Sequence, residues 1–350
     1  MQDRLTDVAG LTVGHHRVWT PDVTVATDDR DGVGWATGTT VVLADGPAVA
    51  AVDVRGGGPG TRETDLLDPS HSVQRVDAIV LTGGSAYGLA AADGVMRYLE
   101  EHGRGVAMGR PDRVVPIVPA AVIFDLPLGA WTSRPDASFG HAAAAAASSD
   151  VAQGSEGAGT GARAGVLKGG IGTASATATE GPAAGLTVGA LVVANPVGSA
   201  FDPRTGVLWG DPGVTLPVPT ADEVAAAAAL AAKDTSLNTT IGVVATDADL
   251  TASGCRRLAV AAHDGLARAI RPAHSPLDGD TFFALATGRA TPRGEAVSVD
   301  ARMMPDLAVL DALCALAAVV TERAIARAVL TATSIAGIPA YRDVFASARV

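Results

Sequence analysis

Aromatic residues and cysteines are scarce in this chain: Trp, Tyr and Phe together make up 4% of 350 residues, and there are two cysteines. Cys255 and Cys314 lie in helix-like apolar surroundings, with no CxxC spacing and no paired histidines nearby. They read as buried free thiols rather than redox or metal-binding groups. Basic charge is also in short supply, with 26 Lys and Arg against 37 Asp and Glu and a formal net charge of -11. No basic run offsets that balance, so neither nucleic acid nor an anionic membrane surface is expected as a partner. The opening residues, MQDRLTDVAG, lack the basic and apolar regions of a secretory signal, which leads to the expectation of a cytoplasmic protein. Long uncharged apolar runs are missing too. The most apolar segment, PDLAVLDALCALAAVVTERAIARAVL, carries Asp306, Asp311, Glu322 and Arg323, too many charges for a bilayer span of ~20 apolar residues. It reads as a core-facing helix.

What the chain does have is apolar residues, 48% of the total, enough to bury a large core. Strand-like runs such as GTTVVLA, AVAAVDVRGG, VDAIVLTGG, AAVIFDL and LTVGALVVANPVG alternate with helix-like ones. SAYGLAAADGVMRYLEEHG has apolar residues near helical spacing and Gly103 as a C-cap. TADEVAAAAALAAKD and TASGCRRLAVAAHDGLARAIRP each open on a Thr N-cap. Alternation without an internal repeat or charged linker points to an α/β layered fold in one domain spanning residues 1–350, with residues 286–301 as an exposed loop.

Several stretches are candidates for chemistry. LTGGSAYGLAAADG follows a strand and opens a helix, the context of a serine nucleophile elbow, but G-x-S-x-G would need Gly where Tyr87 stands. A tight turn explains Gly84, Ser85 and Tyr87 as well, with amides that can still face a site. GAGTGA, residues 157–162, matches G-x-G-x-x-A, with Glu180 at the distance of a ribose-binding acid. A polar loop precedes it instead of a strand, which favours glycines that let backbone pack closely. His15 and His16 lack a metal-ligand spacing, and packing accounts for them. HSPLDGDTFFALATG offers His274, Asp278 and Asp280 as a hard-oxygen cation site, as a carboxylate pair serving a catalytic centre, or as a solvated turn. No cofactor or metal follows from these motifs.

The remaining stretch is SLNTTIGVVATD. Asn238-Thr239-Thr240 fits the glycosylation sequon N-x-[ST], but that requires secretion. A polar turn ahead of the buried strand IGVVAT is one explanation of it. A latent N-terminal nucleophile is another. Cleavage between Asn238 and Thr239 would leave Thr239 with its hydroxyl beside its own amine, whose pKa of ~7.7 to 8.0 suits a general base without any histidine.

Taken in order, RGGGPGTRETDLL, LTGGSAYGLAAADGV, AAVIFDLPLG, GSEGAGTGARAG, LVVANPVG, NTTIGVVATDA and HSPLDGDTFFALATG are similar to the DmpA-type family (P1, S58) of self-processing hydrolases. That family includes L-aminopeptidase/D-esterases, β-aminopeptidases and nylon-oligomer endo-amidases. The resemblance implies an αββα sandwich of the N-terminal-nucleophile hydrolase type, cut into residues 1–238 and 239–350. It further implies a homotetramer of such processed pairs, acting on a small amine-bearing peptide or amide. Carried over by motif, Thr239 is the nucleophile and Asn195 the oxyanion donor, while Asp278 and Asp280 orient the ammonium and polarise the nucleophile. The chain departs from the family pattern at Phe124, where the nylon-oligomer branch has Tyr, and at Val166, where many members have Lys. Lys168 either replaces that lysine by a two-residue shift or is a surface residue. Two competing functions are a serine hydrolase using Ser85 and a non-catalytic, nucleotide-binding α/β protein.

Overall fold

The computed structural model describes residues 2–110, 112–230, 238–295, 297 and 299–348. The runs GTTVVLA and AVAAVDV, read above as separate strands, are halves of one long strand. This strand, β2 (Ala36–Val54), continues through Asp45, Gly46 and Pro47, which are exposed. There the pairing with β4 (Arg75–Thr82) shifts register between Leu43 and Ala48. Pro47 survives within a strand because it sits at this irregularity, where the ladder is already interrupted.

The bend lets β2 belong to both halves of a nine-stranded sheet. One half holds β1 (Leu11–Trp19), β4, β5 (Ala120–Val122) and the short β3 (Thr61–Arg62). The other holds β6 (Gly170–Thr177), β7 (Thr187–Asn195), β8 (Thr239–Thr246) and β9 (Thr281–Ala286), in the order β6-β7-β8-β9-β2. β8 and β9 are parallel, whereas β7/β8 and β9/β2 are antiparallel. The halves face each other. Val13, Val42, Ile79 and Leu81 meet Leu191, Val193, Ile241, Val243 and Phe283 in a buried layer between them.

Helices cover both outer faces. α1 (Ala91–Glu101) and α2 (Ala137–Ala145) set Val95, Leu99 and Ala143 on Val41, Leu43 and Val80. α4 (Ala252–Ala269) and α5 (Leu307–Leu330) set Leu258, Leu266, Leu313 and Ile325 on Val192, Val244, Phe282 and Ala284. The alternation in β8 and β9 thus feeds one core on each side, which is why these strands read as continuous apolar runs. The result is an αββα sandwich, the layered α/β arrangement read from the alternation and the form that the family resemblance implies. In chain order α3 (Ala221–Ala228) comes between α2 and α4, is opened by a Thr220–Glu223 capping box and sets Ala227 in the core under α4 and α5; residues 231–237, on which the expected helix ends, lie outside the described residues. Thr251 caps α4 by accepting from the Gly254 amide. SAYGLA is a 3-10 turn, Ser85–Ala90, that precedes α1 rather than part of it. No helix among the described residues is long and apolar enough to cross a membrane.

Burial holds His15 and His263 well below the usual histidine range, each at about 4. Both are therefore neutral in the folded protein near pH 6, while the unfolded chain takes up protons as pH falls through 6.5. Stability present above 6.5 is lost as pH falls toward 4, by up to ~3 kcal/mol per histidine. Urea-unfolding midpoints should drop measurably between pH 7 and pH 5, above the carboxylate range. A flat profile there would contradict the burial of these two rings.

Candidate active site

β8 begins at Thr239, and every residue of the strand is buried. Asn195, the last residue of β7, stands directly opposite Thr239 in the antiparallel ladder. The loop ahead of β9 crosses the same end. Asn238 forms an isolated parallel bridge with Asp278, the Asn238 amide donates to Leu277 O at 3.0 Å, and the Gly279 amide donates to Asn238 O at 3.0 Å. The Thr239 hydroxyl also donates to Asn238 O. One carbonyl, that of the 238–239 peptide bond, thus carries a backbone donor and touches the hydroxyl that follows it. Attack by that hydroxyl on the Asn238 carbon would close a five-membered ring, and the Gly279 amide already sits where negative charge would grow on the oxygen.

The two acids flank this bond without touching solvent, each 1% exposed. Asp280 Oδ1 accepts from the Thr240 amide at 2.9 Å. Its Oδ2 accepts from the His274 amide at 3.1 Å and from His274 Nδ1 at 2.8 Å. Asp278 Oδ1 accepts from the Val197 amide at 3.0 Å. The pair therefore braces the strand end and the β7 exit; a solvated turn is excluded by its burial. Among the described residues no cluster of His, Cys, Asp and Glu could hold a metal ion.

Asn195 is fully buried and oriented from both ends: Oδ1 accepts from the Arg163 amide at 2.8 Å and Nδ2 donates to Phe124 O at 3.3 Å. Phe124 therefore contributes its backbone to this region, a contact that Tyr or Phe can make equally. Lys168 is not a surface residue. It is fully buried, with Nζ donating to Gly159 O at 2.9 Å and Gly169 O at 2.8 Å. It pairs across a two-residue ladder with Arg163, whose amide holds Asn195.

The elbow-like stretch is placed differently. Gly84 adopts φ +83, its amide donating to Asp125 Oδ1 at 2.6 Å, and the Ser85 amide donates to Ile123 O at 3.0 Å. No base is hydrogen-bonded to the Ser85 hydroxyl among the described residues. Tyr87 is 55% exposed, with the Arg134 guanidinium 3.8 Å from its ring centre. The GAGTGA glycines form a buried 3-10 turn, Gly157–Gly159, that runs into a short ladder and not a helix, and Glu180 is exposed elsewhere. His15 bonds Thr40 Oγ1 at 2.9 Å and His16 packs edge-on to Phe139. Cys255 is buried, its thiol pushed up to about 12 by desolvation, whereas Cys314 is only half-buried, short of the full burial expected for it.

Three contributors were not assigned roles from the sequence. A Cβ on Gly279 would lie 2.8 Å from Thr239 Oγ1, so glycine alone lets that amide reach the Asn238 carbonyl. A Cβ on Gly56 would lie 2.2 Å from Asp280 N, so the RGGGPG loop packs backbone to backbone on the acidic loop; the triple glycine was the visible signal. The third is a cavity of about 380 Å³ opening beside Asn238, lined by Val166, Val197, Phe201, Ala227 and Leu230 among others. Among the described residues its walls carry no charged side chain.

The model of peptidase family S58 matches residues 3–342. An uncharacterized aminopeptidase of Mycobacterium tuberculosis is 56% identical over 351 residues, covering 98% of each chain. The 6-aminohexanoate-oligomer endohydrolase of Kocuria sp. strain KY2 is 32% identical over 265 residues, 72% of this chain and 69% of that one. Among solved structures, a Burkholderia sp. β-aminopeptidase superposes with a TM-score of 0.70 at 26% identity, covering 99% of this chain and 93% of its own. The L-aminopeptidase D-Ala-esterase/amidase of Ochrobactrum anthropi, described as a variant of the Ntn-hydrolase fold, gives 0.71 at 23%, covering 94% and 86%. With its αββα layers and a match along nearly its whole length, the chain belongs to peptidase family S58 and is a hydrolase of peptide or amide bonds.

Proposed function

We propose that the protein is a self-processing N-terminal-nucleophile hydrolase that cuts itself between Asn238 and Thr239 and then uses Thr239 on linear amides. The observation that carries this is the shared carbonyl: Asn238 O accepts from both the Gly279 amide and the Thr239 hydroxyl. In processing, Oγ1 adds to the Asn238 carbon, the C–N bond to Thr239 breaks as the nitrogen takes a proton, and water hydrolyses the resulting ester. That frees the Thr239 amine. In turnover the amine accepts the hydroxyl proton as Oγ1 attacks a substrate carbonyl, the Asn195 amide stabilises the oxyanion, and the leaving amine departs with the proton. Water then releases the acyl group. Asp278 and Asp280, buried beside the strand end, orient the new ammonium, and Lys168 stands in for the family lysine through the backbone that holds Asn195.

The acyl side of the substrate replaces Asn238, so it lies in the cavity that opens there, whose described walls are largely apolar. An aliphatic acyl chain fits its walls, with any amine reaching back toward the acids; the substrate is thus a small amine-bearing peptide or amide. Following the family, the processed pairs are expected to assemble as homotetramers in the cytoplasm. Intact mass of the purified protein tests the core of this proposal. Fragments of residues 1–238 and 239–350 are expected, and a persistent single chain would end it.

A further inference from the structure

One histidine next to the acids has no part in the chemistry above. His274 lies in the left-handed region, φ +54, a conformation uncommon outside glycine. It is held there by Asp280, whose Oδ2 receives both the His274 amide at 3.1 Å and Nδ1 at 2.8 Å. The far oxygen of the same carboxylate receives the Thr240 amide at 2.9 Å, one residue from Thr239. The same oxygen already takes the backbone N–H of His274, and in the tautomer with its proton on Nδ1 the ring donates to it as well.

The ring is wedged from behind. His263 on α4 meets it edge to face at 4.8 Å between centroids and is itself fully buried. Behind His263 stands Asp53 at the end of β2, whose backbone oxygen is 3.1 Å from His263 Nε2 and whose carboxylate is paired with Arg55 and Arg256. Phe282 closes the other side of His263 at 5.0 Å. His274 thus cannot swing back, and its donor stays aimed at Asp280.

We propose that His274 is a positioning residue for Thr239: by holding one oxygen of Asp280 it aims the other at the Thr240 amide and fixes where the nucleophile's hydroxyl stands. The role is that of a donor, not a filler, and this separates two substitutions. His274→Leu keeps bulk and loses the donor; His274→Asn keeps a donor at the Nδ1 position and loses bulk.

The test measures the rate of self-cutting by mass spectrometry, and kcat and KM on an aliphatic aminoacyl anilide, for both variants and the unmodified protein. His274→Leu is expected to slow cutting and kcat by about 10- to 100-fold, as for loss of a hydrogen bond to a charged group, with KM within about threefold. His274→Asn should stay within about threefold of the unmodified protein. If Leu performs as well as Asn, or the loss falls in KM, the role is packing and the proposal fails. Should His274→Leu not fold, His274→Ala replaces it and the same ordering against Asn decides. Failure of the Asn variant to fold also overturns the proposal, because its donor is retained. The inference rests on Thr239 as nucleophile, and the two fail differently. An uncut unmodified chain sinks the proposed function, whereas normal cutting in His274→Leu sinks only this step.

Discussion

Thr239→Ala is expected to leave a single full-length chain with no measurable amide hydrolysis, while Ser85→Ala cuts and turns over normally. The alanine variant loses the hydroxyl that touches Asn238 O but keeps the strand, since Thr239 packs at the end of a ladder of eight paired residues against β7. Removing a nucleophile from an otherwise intact site costs roughly 10⁴-fold or more. Ser85 lacks a neighbouring base and stands in a turn whose amides are already used, so its removal should not register. Intact mass and a rate assay on the two variants check both halves. A cut Thr239→Ala chain would show that some other group attacks the bond, and an inactive Ser85→Ala protein would revive the serine hydrolase.

The second large effect is expected from one methyl group. Gly279→Ala places a Cβ 2.8 Å from Thr239 Oγ1, 2.8 Å from Gly58 O and 3.0 Å from Pro59 Cα. Two of these three neighbours are backbone atoms that cannot rotate away, so the Gly279 peptide must move and its amide leaves Asn238 O. Loss of one preorganised donor from a developing oxyanion costs about 10²- to 10³-fold. Self-cutting should therefore slow by at least that factor, with the clash on Oγ1 adding to it. A time course of fragment appearance in freshly expressed protein measures this, and circular dichroism confirms that the sandwich is still built. Cutting at an unaltered rate would remove the Gly279 amide from the processing step.

The layers were legible because β8 and β9 feed a core on each face, which makes the strands IGVVAT and TFFALA apolar throughout, and because Thr220 and Thr251 announce their helices. The unity of β2 was not. Asp-Gly-Pro is a turn signal in any local window, and only the flanking strands, by pairing on both sides of the bend, keep the chain extended through it. At the site, SLNTTIG and LDGDT carry residue types whose chemistry can be argued from the string alone. That Asp280 would face Thr240, far off in the chain, left no mark in the string, and His274 could be read only as a near neighbour in sequence. The cavity beside Asn238 was not legible, for its walls come from β7's exit, α3 and the loop at Val166, distant segments with no shared pattern. Lys168 was open to two readings: a lone lysine after Gly-Val-Leu can be exposed, yet two carbonyls hold it inside.

The position of β8 and β9 in the sheet bears on what a break at Asn238 would mean for the whole molecule. These two strands lie between β7 and β2, both of which belong to the part of the chain before the break. The shorter piece is thus a wedge driven through the longer one, gripped by a ladder of eight paired residues on one side and six on the other. Separation would require tearing both seams at once. Reassembly would require two free molecules to find them again, a concentration-dependent search that the uncut chain performs within itself. Cutting would leave the folded protein in place while making its unfolding, in dilute solution, a one-way event.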